Sequence, residues 1–189
     1  KLDVLFSTFE PTNKGSTYVF VVSMGEEKPS YATCVTTDAG LECTRIGESY
    51  VTVKGSFDSP SYIPVEEVGQ LHLLEGAKLV PTGIKFTAAA HADPSGTIYA
   101  VFDEWESDNP HPIQKLTVVP KGKPAITKTI EEVLESQNLD PEQVNGSFLL
   151  DNSLNFGING QLHRIGVSQD GAIKSLPSWP TQRGPCRAG

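Results

Sequence analysis

Between residues 147 and 176, four short apolar runs alternate with three polar turns. Ser147-Phe148-Leu149-Leu150 leads into Asp151-Asn152-Ser153, and Leu154-Asn155-Phe156-Gly157-Ile158 leads into Asn159-Gly160. Residues 161–167 then lead into Gln169-Asp170-Gly171, and residues 172–176 follow. Asn-Gly and Asp-Gly accept the positive φ angles of tight hairpin turns, so short apolar runs on either side of them read as antiparallel strands. The pattern predicts a four-stranded meander, and it commits the last third of the chain to β-structure.

The same vocabulary runs upstream. Residues 4–9 and 16–23 are apolar and β-branched, and residues 97–106 carry Ile98, Tyr99, Val101, Phe102 and Trp105. Shorter strands are expected at 48–55, 70–74, 83–89 and 113–119. One helix stands out, at 130–137. Thr129 and Glu132 have the spacing of a capping box, and Ile130, Val133 and Leu134 fall on one helical face. Asp140-Pro141 reads as the start of a further single turn. The lysine- and proline-bearing stretch 120–128 reads as a long connection. No repeat of fixed period is visible in the residues. The expected fold is mainly β, an antiparallel sandwich or barrel with one short helix. With 189 residues, one β-rich domain over 1–189 is expected, with an irregular tail from about 177.

The formal net charge is -8, which disfavours a phosphate backbone or an anionic membrane surface as partner. No apolar run is long enough to span a bilayer as a helix. Nucleic-acid binding and membrane insertion are therefore not expected. Three cysteines occur, Cys34, Cys43 and Cys186. Residues 31–46 read as a hairpin turning at Asp38-Ala39-Gly40, which sets Cys34 opposite Cys43 at disulfide range. Cys186 is then left over, unless it takes one of the other two. The chain opens on lysine and holds one sequon, Asn145-Gly146-Ser147. These features together read as a secreted glycoprotein of the extracellular space.

Two sets of side chains invite a chemical reading. Residues 103–108, Asp-Glu-Trp-Glu-Ser-Asp, are acidic, and His111 follows. On a strand, Glu104 and Glu106 would share a face with Cα atoms roughly 6.6 Å apart, the paired carboxylates a glycosidase uses. A solvated strand end is the plainer reading of the same residues. The spacing does not match an EF-hand calcium loop. The second set is aromatic: Tyr18, Tyr50, Tyr62, Tyr99, Trp105 and Trp179. Exposed members would stack on sugar rings, with Tyr62, Trp105 and Trp179 the candidates, whereas Tyr18 and Tyr99 lie inside strong strands and read as core. His72, His91, His111 and His163 have no ligand spacing among them, so no metal and no cofactor is expected. No nucleophile elbow or phosphate-binding glycine loop occurs.

Gly96-Thr97-Ile98-Tyr99-Ala100, together with Gly146-Ser147-Phe148-Leu149-Leu150-Asp151 and Leu154-Asn155-Phe156, resembles phialide-type secreted fungal cell-wall proteins. The likeness covers the second half of the chain. The Cys34/Cys43 hairpin and the helix at 130–137 lie outside it. It implies a wall-associated, non-catalytic protein and transfers no site residues. The leading expectation is a non-enzymatic extracellular protein that binds polysaccharide or a protein partner. A hydrolase using Glu104 and Glu106, and a barrel enclosing a small apolar ligand, are the alternatives.

Overall fold

The structure is a computed structural model and describes residues 2–12, 15–24, 30–47, 51–59, 61–85, 87–107 and 111–177. Tyr50, Trp179, Cys186 and the expected tail lie outside these residues, as do the side chains of Tyr18 and Asn145.

Among the described residues the chain is mainly β, with seventeen strands in four sheets and one short helix. The first sheet holds β1 (Leu2–Thr12), β2 (Gly15–Met24), β3 (Ser30–Thr37) and β4 (Gly40–Gly47), each antiparallel to the next. The second is ordered β5-β7-β8-β9, from β5 (Val51–Val53), β7 (Tyr62–Glu67), β8 (Gln70–Glu75) and β9 (Lys78–Lys85). The third sheet runs β13-β12-β11-β10-β6. Its strands are β6 (Ser56–Phe57), β10 (Thr87–Ala92), β11 (Ile98–Glu104), β12 (Ile113–Val119) and β13 (Ile126–Thr129). The fourth is the expected meander: β14 (Val144–Leu150), β15 (Ser153–Ile158), β16 (Gln161–Val167) and β17 (Ile173–Leu176). Its turns place Asp151, Asn159, Gly160 and Gly171 at positive φ, as the residue types require.

The second, third and fourth sheets stack face to face, with the third in the middle. Because side chains alternate along a strand, the middle sheet serves two cores, and β11 contributes to both. Ala90, Ala92, Ile98 and Ala100 pack against Val65, Leu71, Leu73 and Leu74 of the second sheet. The alternate residues Tyr99, Val101, Leu116 and Val118 pack against Leu154, Phe156, Ile165 and Val167 of the fourth. The face-to-face packing of a sandwich is therefore present twice. No closed barrel forms among the described residues.

The helix α1 (Ile130–Glu135) begins where the sequence places it. Thr129 Oγ1 accepts the Glu132 amide at 3.1 Å, and Glu132 Oε2 accepts the Thr129 amide at 2.8 Å. Two of the four orphan amides at the helix start are thereby satisfied. Ile130, Val133 and Leu134 close the core between the third and fourth sheets.

Three segment expectations are corrected. The stretch 120–128 is not all connection, because β13 starts at Ile126 and pairs with β12. Residues 83–89 do not form one strand: their first part ends β9 in the second sheet and their last part begins β10 in the third. Strand β7 was not expected, and Pro64, which has no amide to donate, sits in its middle. Its carbonyl still accepts the Lys54 amide at 2.8 Å, so the pairing survives the missing donor.

Candidate functional site

Two places gather chemistry. The first is a groove of about 380 Å³ at the edge between the second and third sheets. Thr82 and Lys85 of β9 line one side, and Phe102, Glu104, Thr117 and Thr127 line the other. Trp105 stands at its rim and is 65% exposed. Thr117 and Thr127 share a hydrogen bond of 2.7 Å across β12 and β13. Asp103, on the opposite face of β11, accepts from Gln114, which in turn accepts from Ser147 at 3.0 Å.

The groove settles where the expected carboxylates lie. Strand β11 ends at Glu104, so Trp105 and the exposed Glu106 are no longer on a pleated strand. The shared strand face that would have paired Glu104 with Glu106 is therefore not formed. Glu104 instead pairs with Lys115 of β12, two residues along from its register partner Ile113 and on the same face. Of the other candidate aromatics, Tyr62 is half-buried. Lys121 donates to its hydroxyl at 2.9 Å and lies over its ring at 4.6 Å. It is held by the protein and packs against the core.

The second place was not foreseen. Strand β6 runs parallel to the edge of β10, with Ser56 opposite His91 and Phe57 opposite Ala92. The Asp58 amide extends this pairing to the Ala92 carbonyl at 2.9 Å. Alternation then puts Ser56, Asp58, His91 and Asp93 on one face, the face that carries Tyr99. His91 is 2% exposed. Its Nδ1 lies 3.0 Å from Ser56 Oγ and its Nε2 lies 3.4 Å from Asp58 Oδ2. The turn between β14 and β15 brings Asp151 to the same point. One ligand atom from each of Asp58, His91 and Asp151 lies within 4.8 Å of the other two.

Behind this cluster Asp93 is held tightly. Its Oδ1 accepts the Ser95 amide at 2.8 Å, the Ser95 hydroxyl at 2.6 Å and the Thr97 amide at 3.1 Å. Its Oδ2 accepts from Gln169 at 2.9 Å and from the Tyr99 hydroxyl at 3.3 Å. Burial by itself would raise the Asp93 pKa, but the bonds from Ser95, Gln169 and Thr97 outweigh it and hold the carboxyl below its ordinary value. Tyr99 is pushed up to about 12, first by burial and then by the charge of Asp93, with Asp58 adding to it. Tyr99 was expected in the core, and it is there, but its hydroxyl serves this polar network.

Neither place could be read from local spacing. Asp58, His91 and Asp151 come from three distant segments. A signal was nonetheless present in 87–93, Thr-Ala-Ala-Ala-His-Ala-Asp, where a histidine and an aspartate recur at period two in an otherwise small, apolar strand. Comparison with family models, with curated proteins and with solved structures gives no significant match.

Proposed function

We propose that the chain is a non-catalytic extracellular protein that binds polysaccharide, with the groove beside Trp105 as the contact surface. The observation that carries this reading is the exposed Trp105 ring at the rim of a groove lined by Lys85, Glu104 and three threonines. An indole face offers a large apolar platform for a sugar ring, and a few fixed polar groups then set orientation. Glu104, paired with Lys115, supplies an acceptor, and Thr82, Thr117 and Thr127 complete the lining. The resemblance of the second half to secreted wall proteins points the same way, as do the Cys34/Cys43 pair and the sequon at Asn145.

The test is a pull-down on insoluble chitin, β-glucan and cellulose, with the supernatant assayed for released sugar. Binding without release, lost in Trp105→Ala, is the expected result. Release that disappears in Glu104→Gln would replace this reading with the hydrolase. Absence of both would replace it with a protein partner.

A further inference from the structure

We infer that Asp58, His91 and Asp151 form a binding site for a divalent cation of borderline softness, with zinc the best fit. Two donors on a tetrahedral ion with bonds of about 2.1 Å stand about 3.4 Å apart. That is the separation of His91 Nε2 and Asp58 Oδ2. It is also wider than an ordinary N–H···O hydrogen bond, and an ion bonded to both atoms would sit to one side of the line that joins them. Asp151 adds a third donor, and none of the three atoms lies more than 4.8 Å from another. Asp58 and Asp151 are exposed while His91 is buried, so an ion would enter from the solvent side and keep a position open to water.

The surroundings favour a cation over a chance cluster. Ser56 sits on His91 Nδ1. With the Nδ1 proton directed to Ser56 Oγ, Nε2 presents its lone pair toward the carboxylates, the tautomer a metal needs. Asp93 adds a further negative charge on the same face, held by neutral donors. Among the described residues, no lysine or arginine is ion-paired with Asp58, Asp93 or Asp151. The ligand set decides between cations. Calcium and magnesium prefer oxygen throughout, whereas one imidazole with two carboxylates suits zinc or a neighbouring transition metal. Such an ion would tie the edge of the third sheet to the first turn of the fourth.

The experiment is calorimetric titration of the full chain with zinc, after chelator treatment, and with calcium in parallel. One zinc per chain is expected. Asp58→Asn and Asp151→Asn each weaken binding by at least about tenfold. These two side chains are exposed, so circular dichroism should show the fold unchanged. Glu106→Gln, distant in the fold, should bind as the parent does. Zinc at about 100-fold excess over its Kd should raise Tm by roughly 5–10 °C in the parent and by far less in the two Asn variants. Calcium bound in preference to zinc would overturn the assignment. So would zinc binding that survives both Asn substitutions, or no binding by the parent chain.

Discussion

A Cβ on Gly55 would lie 1.9 Å from the carbonyl oxygen of Ala90. Gly55 also has φ of +103°, where a side chain is strained in any surroundings. This one close approach lets β6 turn out of the second sheet and lie against β10 in the third. It thereby sets Ser56 and Asp58 beside His91. Gly55→Ala is expected to cost at least about 3 kcal/mol, because the atom it meets is backbone and cannot rotate away. Gly40 offers the control. It has φ of +123° but nothing within 4 Å of its Cβ position, so its alanine variant pays the strain alone. Urea unfolding of the two variants should separate them clearly.

The polar network behind the candidate cation site gives stability a defined pH dependence. The folded pKa of Asp93 lies below its unfolded value. The unfolded chain therefore takes up that proton first as pH falls. Stability from this group is whole above about pH 4 and is lost as pH drops toward the lower folded value. Asp93→Asn should show a shallower acid limb in urea midpoints measured across that range. Tyr99 acts at the other end. Its folded pKa is about 12 against an ordinary 10.0, so the unfolded chain ionises first and stability falls as pH rises between them. Tyr99→Phe should remove that part of the alkaline loss.

Cys34 and Cys43 are directly opposed in β3 and β4 and are joined in a disulfide. A loop this short constrains the unfolded chain modestly, by about 2–3 kcal/mol. The double serine variant should unfold earlier in urea by that amount. Thiol titration of the denatured, unreduced parent should find one free thiol, that of Cys186.

Thr129 and Glu132 satisfy each other's backbone amides at the start of α1. Thr129→Ala should cost about 1 kcal/mol, and Thr129→Ser should cost less because the hydroxyl is kept. The effect should appear in global stability, since Val133 and Leu134 of the helix are wholly buried between two sheets.

Several elements were legible because their signals are local. The turns at Asn159-Gly160 and Asp170-Gly171 need residues that accept positive φ, and the chain supplies them where the meander bends. The helix start is legible for the same reason, since Thr129 and Glu132 lie within one turn of each other. Strand β7 was not legible, because Pro64 is tolerated by a pairing pattern that arises only when β5 lies beside it. The break between β9 and β10 was hidden as well, since nothing in residues 83–89 tells which sheet each half joins.

The sequence by itself determined the β-class, the opposed cysteines, the capped helix and the four-stranded meander at the end. Each of these follows from backbone preferences over a few neighbouring residues. Only the tertiary structure decided the rest. It ended β11 at Glu104 and gave that carboxylate to Lys115, leaving Trp105 exposed at a groove. It also carried Asp58, His91 and Asp151 to one point from three separate segments. Contacts of that kind are set by how sheets stack and by a single glycine's close approach to a neighbouring strand, and chain spacing carries no record of either.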